Sequence, residues 1–134
     1  MGRGRVAPFV LTVLLAVVGV GCGLAGGGQP FGQDNADSVL SYLLVDYSIG
    51  GDPVAKGPKV LFKVANAGSQ NHRLEVLDDQ GESVGQTPAI PLGATVPPLA
   101  LELEAGTYTL QCTLKNQDGK VHRDLGMTTK LVVQ

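Results

Sequence analysis

The sequence predicts an all-β fold, a Greek-key β-sandwich of six to eight short strands behind a signal segment and a flexible tether. Three observations carry this. Short apolar runs alternate with polar residues at a period of two, the signature of strands with one buried face. Gly and Pro, 19 and 8 of 134 residues, fall between these runs and punctuate them as turns. No segment has a helical period, and no internal repeat is present. Alternation of this quality implies two sheets packed face to face.

The chain opens with a leader over residues 1–21. Arg3 and Arg5 give it a positive start, and Val6 to Val20 is apolar apart from Thr12. Small residues Gly19 and Gly21 then precede Cys22. This is the layout of an export signal. As a helix, the apolar run spans roughly 22 Å, against a hydrocarbon core of roughly 30 Å. A permanent transmembrane helix is therefore the weaker alternative and needs a longer insertion. The stretch Val18-Gly19-Val20-Gly21-Cys22 resembles a bacterial lipobox, although Gly19 stands where that motif usually has Leu. The resemblance implies a lipoprotein acylated at Cys22, with an ordinary secretory signal as the alternative. Residues 22–38 then read as a linker. Gly23 to Asp37 is Gly-rich and polar, and a flexible chain of that length reaches about 20 Å. The folded domain is expected over residues 39–134.

Within the domain, Val39 to Ile49 reads as the first strand, ended by Gly50-Gly51-Asp52-Pro53. Lys59 to Asn66 is the next, with Val60, Phe62 and Val64 on one face. Ala67 to Asn71 turns the chain. His72 to Leu77 follows, placing His72, Leu74 and Val76 together. Asp78-Asp79-Gln80-Gly81 turns again. Gly85 to Pro98 is long and irregular with four prolines, and long loops often border a site. Leu99 to Glu104 points Leu99, Leu101 and Leu103 inward. Thr107 to Leu114 sets Tyr108, Leu110 and Cys112 on one face. Thr128 to Val133 closes the domain. The strands are expected to run antiparallel.

Charge excludes one class of partner. The chain is formally −2, and without Arg3 and Arg5 it has eight basic residues against twelve acidic. With no basic patch and few aromatic side chains, nucleic acid is not a partner of this sequence.

Cysteine accounting raises a chemical question. Cys22 and Cys112 could form a disulfide, which exported proteins favour. If Cys22 is acylated, Cys112 is left alone in an oxidising compartment, where a metal would occupy it. Apart from Met1 and Cys22, the soft and borderline metal ligands are His72, Cys112, His122 and Met127. They run in the order His, Cys, His, Met, with nine residues between Cys112 and His122 and four between His122 and Met127.

That order resembles the blue-copper family, the cupredoxins of plastocyanin and azurin type. The flanking residues are similar too. Asn66-Ala67-Gly68 before His72 looks like the family's Asn-x-Gly turn. Gly106-Thr107-Tyr108 leading to Cys112 looks like its Gly-x-Tyr-x-x-x-Cys strand. His122 to Gly126-Met127 looks like its closing His…Gly-Met. The resemblance spans essentially the whole domain. One departure is the interval Thr113 to Val121, which in small members is shorter; copper nitrite reductases have a comparably long loop. The resemblance implies one type-1 copper ion held by His72, Cys112, His122 and an axial Met127.

Ligand type gives the chemistry. Thiolate and thioether suit Cu(I), and imidazole suits both copper states. Two His, one Cys and a weak Met make an electron-transfer set, and copper outcompetes zinc for it. Two histidines cannot build a second centre for oxygen or nitrite, so the chain reads as a carrier rather than an enzyme. The leading expectation is one-electron transfer between redox partner proteins, at the extracytoplasmic face of a membrane to which the lipid anchors the chain, or in a secreted form. A copper-binding or delivery module ranks second, because such proteins usually carry many Met or His. A metal-free interaction domain of the same fold is the third reading.

Overall fold

The computed structural model describes residues 30–134. The leader, Cys22 and the linker as far as residue 29 lie outside the described residues, and the expectations placed on them are not addressed by it. Among the described residues, nine strands form two sheets. They are β1 (Ser38–Val45), β2 (Ser48–Gly51), β3 (Val54–Ala55), β4 (Lys59–Asn66), β5 (Glu75–Leu77), β6 (Ser83–Gln86), β7 (Leu99–Glu102), β8 (Gly106–Gln111) and β9 (Thr128–Val133). One sheet has the order β2-β1-β4-β7, the other β3-β9-β8-β5-β6. The expected all-β sandwich is present, with short 3-10 turns at Gln33–Asn35 and His122–Leu125. Among the described residues, no helix is long and apolar enough to cross a membrane.

Alternation explains the core. Leu40, Tyr42 and Leu44 of β1 and Val60, Phe62 and Val64 of β4 are buried between the sheets. Val76, Leu110, Leu131 and Val133 meet them from the other sheet, and Leu74, Ile90 and Leu103 join from the loops. The rings of Tyr42 and Phe62 stack with centroids 6.0 Å apart.

Several elements differ from the sequence reading. Val39 to Ile49 is two strands, because the chain reverses at Asp46-Tyr47, where Tyr47 takes φ 63°. Asp disfavours strand interiors and tolerates turns, which is why the reversal falls there. Together with the two-residue strand β3, this raises the count above the expected range. The strands are not all antiparallel: β1 pairs parallel with β4, and β3 parallel with β9. β2 returns beside β1 in the first sheet and β3 crosses to the second, after which the chain re-enters the first sheet in β4, parallel to β1. Only Glu75–Leu77 of the predicted third strand pairs regularly, while His72 makes an isolated bridge with Ile90. The last residues assigned to the linker are tied to the domain: Asp37 N–H donates to Lys59 O at 2.8 Å, and Asp37 Oδ2 accepts from Lys59 N–H at 2.8 Å.

Tyr42 illustrates how a polar atom is carried into this core. Its hydroxyl donates to the carbonyl of Asp52. Burial, and then the Asp52 charge, push its hydroxyl up to about 12 from an ordinary 10.0. A phenol that holds its proton more tightly when folded contributes stability that is complete below the unfolded value and is lost as pH rises through the folded one. Tyr42→Phe is therefore expected to lower the unfolding free energy by about 0.5–1.5 kcal/mol near neutral pH. It should also flatten the fall in stability between about pH 10 and 12. Urea titrations of both proteins at neutral and alkaline pH check this.

Candidate metal centre

Three loops at one end of the sandwich bring the predicted ligands together. The first leaves β4 at Asn66. This buried side chain donates from Nδ2 to Gln70 O at 2.7 Å and Ile90 O at 2.8 Å, and accepts from Gly68 N–H at 2.8 Å. Every polar atom of Asn66 is thus used to shape the turn, which is the local meaning of the Asn-x-Gly pattern. His72 then locks to Ile90 through paired backbone bonds of 3.1 and 2.7 Å. The irregular Gly85–Pro98 stretch borders the site as expected, because Ile90 lies in it.

The second loop carries Cys112, immediately after β8. Its N–H donates to Met127 O at 3.1 Å, and its carbonyl accepts from Arg123 N–H at 2.9 Å. Its Sγ accepts from Arg73 N–H at 3.4 Å.

The third loop contains the interval of nine residues between Cys112 and His122, and its shape removes the difficulty of its length. Lys115 bridges Val121, and Asn116 N–H donates to Lys120 O at 2.9 Å. Asn116 Oδ1 accepts from Asp118 and Lys120 N–H at 3.0 and 2.9 Å. Gly119, at φ 78°, closes the turn. The insertion is a small hairpin that leaves and returns to one point. His122 N–H then donates to Leu114 O at 2.9 Å, so His122 lies beside Cys112 as it would after a short loop. The 3-10 turn ends at Gly126 in the left-handed region, φ 106°, and Met127 heads β9.

The result is a buried cluster. His72, Cys112 and His122 offer ligand atoms that all lie within 4.8 Å of one another. The two Nδ1 atoms are 3.2 Å apart, and Cys112 Sγ is 3.5 Å from His122 Nδ1. None of the three is more than 1% exposed. Met127 is also fully buried, and its backbone is bonded to both Cys112 and His122. Two imidazole nitrogens and one sulfur, convergent and dry, suit a borderline or soft metal ion. Among the described residues Cys112 has no disulfide partner; its alternative partner, Cys22, lies outside them.

Two neighbours of the cluster were not found by sequence reasoning. Asp46 Oδ1 is 2.8 Å from His72 Nε2. Bonds from the Ser69 hydroxyl and from His72 hold the Asp46 carboxyl down at about 2. The rings of Tyr47 and His122 meet in a T-shape, centroids 5.4 Å apart, and the Tyr47 hydroxyl accepts from Gln70 Nε2 at 3.0 Å. Burial first, then the neighbouring His72, lowers the basicity of His122. His122 Nε2 has no hydrogen-bond partner among the described residues. The available signal is the Asp46-Tyr47 pair that interrupts an apolar run; the alternation on both sides of it hides the reversal.

No protein-family model matches the chain, and no curated protein matches it. Solved structures do. Auracyanin B is 13% identical with TM-score 0.61, covering 81% of this chain and 96% of that one. A dithionite-reduced auracyanin from the photosynthetic bacterium Roseiflexus castenholzii is 13% identical with TM-score 0.58, covering 74% and 98%. Auracyanin A from Chloroflexus aurantiacus, described as a "blue" copper protein, is 17% identical with TM-score 0.54, covering 72% and 99%. Likeness at this level of identity establishes a shared fold.

Gly68 shows how tightly the site is built. A Cβ there would stand 2.5 Å from His72 Nε2 and nearer still to Asp46 Oδ1. Gly68→Ala is expected to destabilise the metal-free chain by about 1–3 kcal/mol through overpacking, measured by denaturant titration. An unchanged midpoint would mean the turn has room that the structure does not show.

Proposed function

We propose that this chain, whose fold is that of the cupredoxins, holds one type-1 copper ion with His72, Cys112 and His122 and carries single electrons between redox partner proteins. The observation that carries this reading is the convergence of two imidazole nitrogens and a sulfur within 4.8 Å in a fully buried pocket. A copper ion held there supplies a one-electron couple between Cu(II) and Cu(I).

The chain's residues do the rest. His72 and His122 present Nδ1 atoms, and Cys112 presents its sulfur, from three separately anchored backbone segments. The Arg73 N–H bond to the Cys112 sulfur orients it and draws off negative charge. Leu74, Ile90 and Leu110, all fully buried, exclude water from the surroundings. Met127, buried and backbone-bonded to Cys112, is the fourth donor of the proposed set. A frame anchored on strands that keeps its donors in place through a change of charge keeps reorganisation small.

Burial also favours a carrier over a delivery module. Handing copper to an acceptor requires a donor that the acceptor can reach, and these three are enclosed. With both histidines in one group, none remains for a second centre, so the proposal is a carrier and not an enzyme. We place it at the extracytoplasmic face of a membrane, anchored through Cys22. The support is the leader sequence: Arg3 and Arg5, the apolar run, and the small residues before Cys22.

Two outcomes test the reading. The copper-loaded domain should show an intense visible thiolate-to-copper band, and Cys112→Ser should lose it while far-ultraviolet circular dichroism stays unchanged; a band that survives the substitution rules out Cys112 as ligand. Copper at a free concentration one hundred times its Kd should raise the unfolding free energy by about 2.7 kcal/mol, the linkage expected of any ligand bound only by the folded state. A melting temperature indifferent to copper would leave a metal-free interaction domain.

A further inference from the structure

We propose that Asp46 is a positioning residue for the metal centre, fixing His72 as the Nε2–H tautomer and biasing the site toward the more highly charged state of its metal. The inference rests on the metal-centre reading above and adds the control of that centre.

The geometry leaves little freedom. Asp46 sits in the turn between β1 and β2, and its Oδ1 lies 2.8 Å from His72 Nε2. The same oxygen accepts from Ser69 N–H at 2.9 Å, and Oδ2 accepts from the Ser69 hydroxyl. The carboxylate is thus clamped by the loop that carries His72. An ionised carboxylate has no proton to give. The bond to His72 therefore requires the proton on Nε2, which leaves the Nδ1 lone pair for the cluster, where Nδ1 faces His122 Nδ1 at 3.2 Å. The absence of a side chain at Gly68 keeps the line between carboxylate and imidazole clear. A histidine ligand whose outer nitrogen donates to a carboxylate is fixed in orientation and made more basic.

The charge acts in a second way. A carboxylate bonded to the outer nitrogen of a ligating His72 would stabilise a divalent ion more than a monovalent one held by the same residues. Asp46 is partly exposed, its side chain at 31%, so water moderates the effect without cancelling it. Replacing it with a neutral isostere should weaken Cu(II) binding more than Cu(I) binding and raise the midpoint potential.

The test uses Asp46→Asn, which keeps the shape and an acceptor oxygen but removes the charge. Cu(II) affinity is expected to fall about 10–100-fold, the usual effect of losing an outer partner of a ligating His. Cu(I) affinity should fall less. Each tenfold change in the ratio of the two affinities corresponds to about 59 mV for one electron. A lowered metal-free stability with an unchanged affinity ratio would reduce Asp46 to a structural role and overturn the proposal. Ser69→Ala, which loosens the carboxylate but keeps its charge, should shift the ratio in the same direction by less; no shift in either variant also overturns it. Nitrogen-15 NMR of the metal-free wild-type chain gives an independent reading. A neutral His72 protonated on Nε2 supports the proposal, and one protonated on Nδ1 refutes it. Failure of the wild type to bind copper would instead strike the metal-centre reading, and the tautomer would still be decided.

Discussion

Cys112 is held at both of its backbone groups, by Met127 O at 3.1 Å and Arg123 N–H at 2.9 Å. The first continues the pairing of β8 with β9 past the end of the regular ladder, and the second ties Cys112 to the 3-10 turn that begins at His122. They are the closure on which the centre depends. They fix the sulfur against the turn that carries His122, and they set Met127 at the head of β9. Without them the interval from Thr113 to Val121 would be a long loop with a large choice of conformations, and ordering it would cost entropy with no matching contact. The small hairpin built on Asn116 and Gly119 supplies the local bonds that offset this cost.

Such a cluster is expensive to bury. Imidazole and thiol groups taken from water must find partners, and each group left without one weakens the fold. Asn66 is fully satisfied by its turn, and His72 is satisfied by Asp46 and Ile90. His122 is not, since its buried Nε2 has no hydrogen-bond partner among the described residues. Two imidazoles and a sulfur share this buried space, with the two Nδ1 atoms 3.2 Å apart and Cys112 Sγ 3.5 Å from His122 Nδ1. The arrangement makes sense as a receptor for charge and poorly as a hydrophobic core, where aliphatic side chains would fill the same volume at lower cost.

Much of the fold was legible because its strands are amphipathic. Val60, Phe62 and Val64 alternate over a full strand, and β4 and β9 have the bounds that alternation predicts. Where alternation runs on through a reversal, it misleads. Leu40, Tyr42 and Leu44 alternate into Asp46-Tyr47-Ser48-Ile49 without a Gly or Pro to mark the reversal, so the hairpin and its two site-facing residues were missed. Parallel pairing of β1 with β4 was equally hidden, because register between distant strands is not written in either strand alone.

Residue chemistry by itself determined that His72, Cys112, His122 and Met127 are the available soft and borderline donors of the domain, and that an all-β sandwich would carry them. This is so because ligand softness and side-chain alternation are properties of single residues and near neighbours. Only the tertiary structure decided that three of them converge in a dry pocket, that a hairpin makes a long interval behave as a short one, and that Asp46 reaches His72. The approach of the His72 segment to His122, Cys112 and Asp46 depends on contacts between residues 26 to 50 apart, set by the packing of two sheets that no local pattern records.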